Sequence, residues 1–151
     1  MPFIYVDGER VEVDASDPRA VKNTRTPEQI SEKLKQGIQQ ERDRRLKADF
    51  EFNGVMFQRD PESLARITGA ATLAGFAIAA GAEIGNLRWA NPVRDFGWIA
   101  SDDTVVPMDA QTCFSFGQAA AERETSIIFA AKTLREMNPI PSDYTDDSYW
   151  P

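Results

Sequence analysis

The sequence predicts an α+β fold: three helices alternating with short β-hairpins, a small antiparallel sheet packed on a helical core. Two observations predict it. Asp7-Gly8 and Asn53-Gly54 each sit between short apolar runs, the pattern of a two-residue type I′ hairpin turn. Thr26-Pro27, Asp60-Pro61 and Asp109 each open a long stretch of helical periodicity with a capping side chain.

Taken in order, residues 1–15 form a hairpin arm, with Phe3, Ile4, Tyr5 and Val6 on its first strand. A lone two-stranded hairpin is marginal in water, so these side chains are expected to dock on something. The arm carries Asp7, Glu9, Glu12 and Asp14 against Arg10, whereas the linker over 16–26 carries Arg19, Lys22 and Arg25. An acidic arm is thus tied by a basic linker to a core domain over 27–138.

The first helix starts at Thr26, with Gln29 completing a capping box, and runs to about Lys47. Its apolar stripe is thin: Ile30, Leu34, Ile38 and then Leu46. Such a helix is either a solvated strut or one strand of a helix–helix association. Arg42, Arg44 and Arg45 near its end favour the helix dipole and are expected to pair with acids of a partner or of the tail.

The second hairpin spans 50–58 and leads into a helix from Asp60 to about Gly81. Leu64, Ile67, Ala71, Ala74 and Ile78 share one face of that helix. Ala65, Thr68, Thr72, Gly75 and Ala79 form a small-residue stripe, and Leu73, Phe76 and Ala80 a third face. Hydrophobic nearly all round, it is expected to be central and buried. The apolar run 67–82 is too short and too rich in Ala and Gly to read as a membrane span, and residues 1–8 lack the features of a signal peptide.

A third hairpin over 96–108 has a longer polar turn. The last helix runs from Asp109 to about Met137, with Phe116, Ala120, Ile127, Ala131 and Leu134 as its core face, and Asn138-Pro139 stops it. The tail over 139–151 is acidic and aromatic, with Asp143, Asp146 and Asp147 beside Tyr144, Tyr149 and Trp150. Trp150 is either a hook into a groove on its own chain or an anchor in another subunit.

Composition excludes much chemistry. The chain has no histidine, which removes Ser-His-Asp and Cys-His triads and His-ligated metals. Its single cysteine, Cys113, reads as a small core residue. A net charge of −7 argues against non-specific nucleic-acid binding. Asp95-Phe96-Gly97 copies a kinase triplet, but no Gly-rich loop or catalytic-loop motif accompanies it. Asp102, Asp103 and Asp109 lack the spacing of a calcium loop and read as a turn and a cap. A carboxylate-pair glycan hydrolase needs no histidine, yet Glu51, Asp60, Glu83 and Asp95 are scattered. No catalytic, cofactor-binding or metal-ligating residue is assigned.

The run from Glu41 to Ser63 is the most distinctive stretch, with Phe50, Phe52, Gly54, Phe57, Gln58 and Asp60 in it. Together with Trp98, Asp102-Asp103 and Pro107-Met108-Asp109 it resembles a domain of unknown function found in tailed-phage and prophage tail-fibre-region and tail-fibre-assembly-like proteins. The resemblance covers roughly residues 38–137 and brings no catalytic residues with it. It implies a small tail protein, made in the host cytoplasm and located in the virion, whose partners are other tail proteins and further copies of itself. Nucleic acid, membrane and small-molecule substrates are not expected. The alternatives are an assembly chaperone absent from the mature particle and, third, the glycan hydrolase. The residues expected at an interface are Phe3, Ile4, Tyr5, Val6, Ile30, Leu34, Ile38, Arg42, Arg44, Arg45, Tyr144, Tyr149 and Trp150.

Overall fold

The longest helix organises the molecule. In this computed structural model, which describes residues 2–14, 16–20 and 25–151, α3 runs from Ala110 to Glu136. Twenty-seven residues make a rod of about 40 Å. Helix α1 (Pro27–Lys47) and helix α2 (Pro61–Ala79) pack along successive halves of it. Ala71 of α2 lies against Gly117, and Gly75 against Phe114, so α2 runs antiparallel to the first half of α3. Ile38 of α1 packs with Ile127, Ala131 and Leu134 on the second half.

The helix starts follow from their caps. The Thr26 hydroxyl accepts from the Gln29 amide and the Gln29 side chain accepts from the Thr26 amide, the reciprocal capping box. Asp60 accepts from the amides of Glu62 and Ser63, and Asp109 from that of Thr112. Ser63 also donates its hydroxyl to Asp60, and that bond leads the causes holding the Asp60 carboxyl below its usual range.

Among the described residues six short strands form three separate antiparallel ladders rather than one sheet: β1 (Phe3–Val6) with β2 (Glu9–Glu12), β3 (Phe50–Phe52) with β4 (Val55–Phe57), and β5 (Gly97–Ile99) with β6 (Val105–Pro107). Asp7, Gly8, Asn53 and Gly54 all have positive φ, as paired type I′ turn residues require. Register sets Phe50 opposite Phe57, both buried. These two rings close on Phe116 at centroid distances of 5.6 and 4.7 Å, and Phe52 and Trp98 reach the same ring at 5.3 and 5.6 Å. One phenylalanine of α3 thereby gathers two hairpins onto the helical core. The Ser101 amide donates to the Met56 carbonyl at 2.9 Å, joining those hairpins at their edges.

The core is divided in two along α3. The larger cluster joins α2, the second and third hairpins and α3 as far as Ala120; Cys113 lies inside it, where burial pushes the thiol up to about 11. The smaller joins α1, the tail and α3 from Ile127 to Leu134. Expectation and structure part at α2. Ile67 and Ala74 are buried, but Leu73 and Phe76 are 63% and 69% exposed, and so is most of the small-residue stripe. The helix is not central: α3 and the hairpins cover one side only, and the close helix–helix approach uses Ala71 and Gly117, with Gly75 of the small-residue stripe against Phe114. Among the described residues no helix is long and apolar enough to cross a membrane.

Candidate functional site

The residues expected at an interface divide into three groups. The first lies on the arm. Tyr5 and Val6 are exposed, while Ile4 is buried and Phe3 half-buried. Phe3 holds the Arg10 guanidinium 4.2 Å from its ring centroid and meets Tyr5 edge-on at 5.6 Å. β1 and β2 pack chiefly on each other. Linker residues 21–24, Lys22 with them, lie outside the described residues.

The second group lines a groove of about 460 Å³ on the first half of α1. Ile30 and Leu34 are its apolar floor, Arg25 and Lys33 its cationic edge, and Tyr144 of the tail closes it over Gly37. Tyr144 comes so close that a methyl group on Gly37 would stand 2.2 Å from the phenol oxygen. Helix and tail therefore build this groove together, although they are over a hundred residues apart in the chain. Gly37 was not singled out in the sequence, and nothing local to it signals the contact.

The third group is used inside the chain. Ile38 is fully buried. Trp150, 8% exposed, packs in the same cluster, and its indole N–H donates to the Tyr144 carbonyl at 2.7 Å. Within the chain Trp150 is seated as a hook, the first of its two readings. Arg45 locks the hook, donating to Glu41 at 2.7 Å, to Asp147 at 2.7 Å and to the Thr145 carbonyl at 3.1 Å. Its guanidinium also lies 5.0 Å from the Trp150 ring centroid. Of the three arginines only Arg45 meets the tail. Arg44 turns to Glu41 at 2.6 Å, and Arg42 to its neighbour Asp43 at 2.8 Å. Hydrogen bonds from Arg44, ahead of those from Arg45, hold the Glu41 carboxyl below the usual range despite its burial. The Tyr149 phenol donates to Asp143 at 3.2 Å, and lost hydration followed by that carboxylate raises its pKa.

One buried charge escaped the sequence reading. Arg59 is 2% exposed and stands between β4 and the Asp60 cap. It donates to the Leu46 carbonyl at 2.7 Å, to the Ala120 carbonyl at 2.9 and 3.3 Å, and to Glu124 at 3.4 Å. Leu46 belongs to the last turn of α1, whose carbonyls lack helical partners. Arg59 thus caps α1 from outside while gripping α3 at the boundary between the two core clusters.

Several of the acids weighed for chemistry have structural uses. Asp109 caps α3 and accepts from the Gly85 amide at 2.8 Å, Asp102 accepts from Thr104 in its turn, and Asp95 pairs with Arg88 at 3.1 Å. Among the described residues no three Cys, Asp or Glu side chains are grouped to hold a metal ion.

A family model described as a domain of unknown function, DUF4376, matches residues 29–148. The chain belongs to the DUF4376 family. The match takes in all three helices, the second and third hairpins and nearly the whole tail, leaving the arm and linker outside. The contacts of Arg45 with Thr145 and Asp147 and of Tyr144 with Gly37 therefore lie within the matched residues, while Trp150 and the arm lie outside them. The family description carries no activity, and no curated protein and no solved structure matches the chain.

Proposed function

We propose that this chain is a non-enzymatic structural protein of a bacteriophage tail, at the tail tip, baseplate or fibre attachment, acting through protein–protein contacts in several copies. The observation that carries the contact reading is the outward face of α2. Leu73 and Phe76 are exposed there, Ile84 just beyond them is 85% exposed, and no charged residue stands between Arg66 and Glu83. Exposed apolar patches of this kind mark interaction surfaces. The tail assignment rests on the resemblance of residues 38–137 to a domain of unknown function found in tail-fibre-region and tail-fibre-assembly-like proteins.

The test is tryptic mass spectrometry of purified mature particles, with copies counted against the major tail protein. Stoichiometric peptides are the expected result. Their absence from particles, with the protein abundant in the infected lysate, overturns the virion assignment and favours an assembly chaperone.

A further inference from the structure

The arm and the α1 groove are matched in chemistry. In the arm's register Ile4 faces Val11 and Val6 faces Glu9, so these four side chains share one face of the hairpin. Val6 and Val11 are 45% and 41% exposed, and the turn beside them adds Asp7. Opposite chemistry lines the groove, where Ile30 and Leu34 form the floor and Arg25 and Lys33 the edge. Glu28 and Glu32 stand on the same stretch of helix; neither lines the groove itself, but Glu32 lines the adjoining hollow with the same Arg25 and Lys33, which leaves that edge with two cations and one acid. No described arm residue is among the groove's lining residues.

We propose that the groove on the first half of α1 receives the hairpin arm of a second copy of this chain. Val6 and Val11 would cover Ile30 and Leu34, while Asp7 and Glu9 would meet Arg25 and Lys33. The inference rests on the reading above that the chain works by protein contacts, and it names the partner for one of its surfaces. Charge selects the site. Two chains of net charge −7 repel over most of their surfaces, and this pairing sets a locally acidic element on a cationic edge. It also gives the marginal two-stranded arm a surface to rest on. Each copy offers one arm and one groove, so the contact closes either as a reciprocal pair or as a ring.

Sedimentation and light scattering of the full chain at low salt test the proposal. The full chain is expected to self-associate, and the chain lacking residues 1–14 to remain monomeric. R25E/K33E in one chain and D7K/E9K in another should each weaken self-association by about tenfold, the size of two exposed ion pairs. Mixing those two variants should restore a hetero-association, because each then supplies what the other reversed. As a check independent of charge, V6C and L34C placed in separate chains should cross-link into a heterodimer. A full chain that stays monomeric, association that survives loss of the arm, or a link that forms only when both cysteines are in one monomeric chain overturns the proposal. A monomeric chain found in particles removes the arm contact and leaves the tail assignment intact. A self-associating chain absent from particles does the reverse.

Discussion

The guanidinium of Arg59 grips the carbonyl of Ala120 with two nitrogens, at 2.9 and 3.3 Å, at the level of α3 where packing against α2 gives way to packing against α1. The same side chain reaches the Leu46 carbonyl at the end of α1. Two helices, α1 and α3, therefore share one buried cation. Burial lowers its pKa, but a guanidinium remains charged, so the site depends on those carbonyls and on Glu124 to replace water.

Arg59→Ala removes the donors and strands the Leu46 carbonyl as well. We expect a loss of about 3–5 kcal/mol, the range for breaking a buried charged network, and a fall in Tm of roughly 6–20 °C at this chain length. Arg59→Lys should recover only part of that loss, because an ammonium cannot span the fork of acceptors. Thermal unfolding followed by circular dichroism checks both, and equal stability of R59K and the parent chain would refute the account.

Trp150→Ala opens the smaller cluster and leaves Arg45 without its aromatic lid. A buried tryptophan truncated to alanine costs about 3–5 kcal/mol, so the isolated chain should unfold at lower urea with little change in slope. Removing the tail from residue 139 onward should cost at least as much, because Tyr144 leaves Gly37 in the same step. Unchanged urea midpoints in both variants would show that the clasp adds nothing to the isolated chain.

The parts of this fold legible in the sequence are those fixed within a few residues. Thr26-Pro27, Asp60-Pro61 and Asp109 start their helices by local capping, and Asp7-Gly8 and Asn53-Gly54 turn their hairpins by local backbone geometry. The core face of α3 follows from period alone, and Phe116, Ala120, Ile127, Ala131 and Leu134 are all buried as expected. What local pattern cannot convey is which face of an evenly apolar helix finds a partner. Leu73 and Phe76 are as hydrophobic as Ile67, yet they point away from α3. Arg59, Gly37 and the seat of Trp150 were hidden for the same reason. Each depends on a segment tens of residues away, and an arginine before an Asp-Pro cap looks like any surface base.

Acid should loosen the Arg45 junction first. Glu41 has an ordinary value of 4.5, lowered in the folded chain mainly by hydrogen bonds from Arg44 and Arg45. A carboxyl depressed on folding contributes stability that is fully present above its unfolded value and lost as pH falls through the folded value. The contribution of Glu41 is therefore complete at neutral pH and declines below about 4.5. In Glu41→Gln that part of the acid dependence should vanish, and the variant should be less stable than the parent at pH 7 but closer to it in acid. Urea titrations at a series of pH values test this; parallel curves for the two proteins would remove Glu41 from the linkage.

Two glycines separate a packed helix contact from a resting side chain. A methyl group on Gly117 would stand 2.2 Å from the Ala71 Cβ, an atom fixed to the backbone of α2. Gly117→Ala must therefore push α2 from α3, and overpacking of this kind costs about 1–3 kcal/mol. A methyl group on Gly37 meets the Tyr144 phenol oxygen at the same 2.2 Å, but that atom is the far end of a half-buried side chain and not backbone. Alanine gains up to about 1 kcal/mol over glycine within a helix, which offsets the lost tail contact, so Gly37→Ala should leave overall stability nearly unchanged. It should nevertheless loosen the groove, seen as faster exchange of the Trp150 indole N–H, which donates to the Tyr144 carbonyl, and of the Asp146 amide than in the parent chain. If Gly37→Ala instead destabilised as much as Gly117→Ala, the tail would be a rigid part of the core and not a strap laid over it.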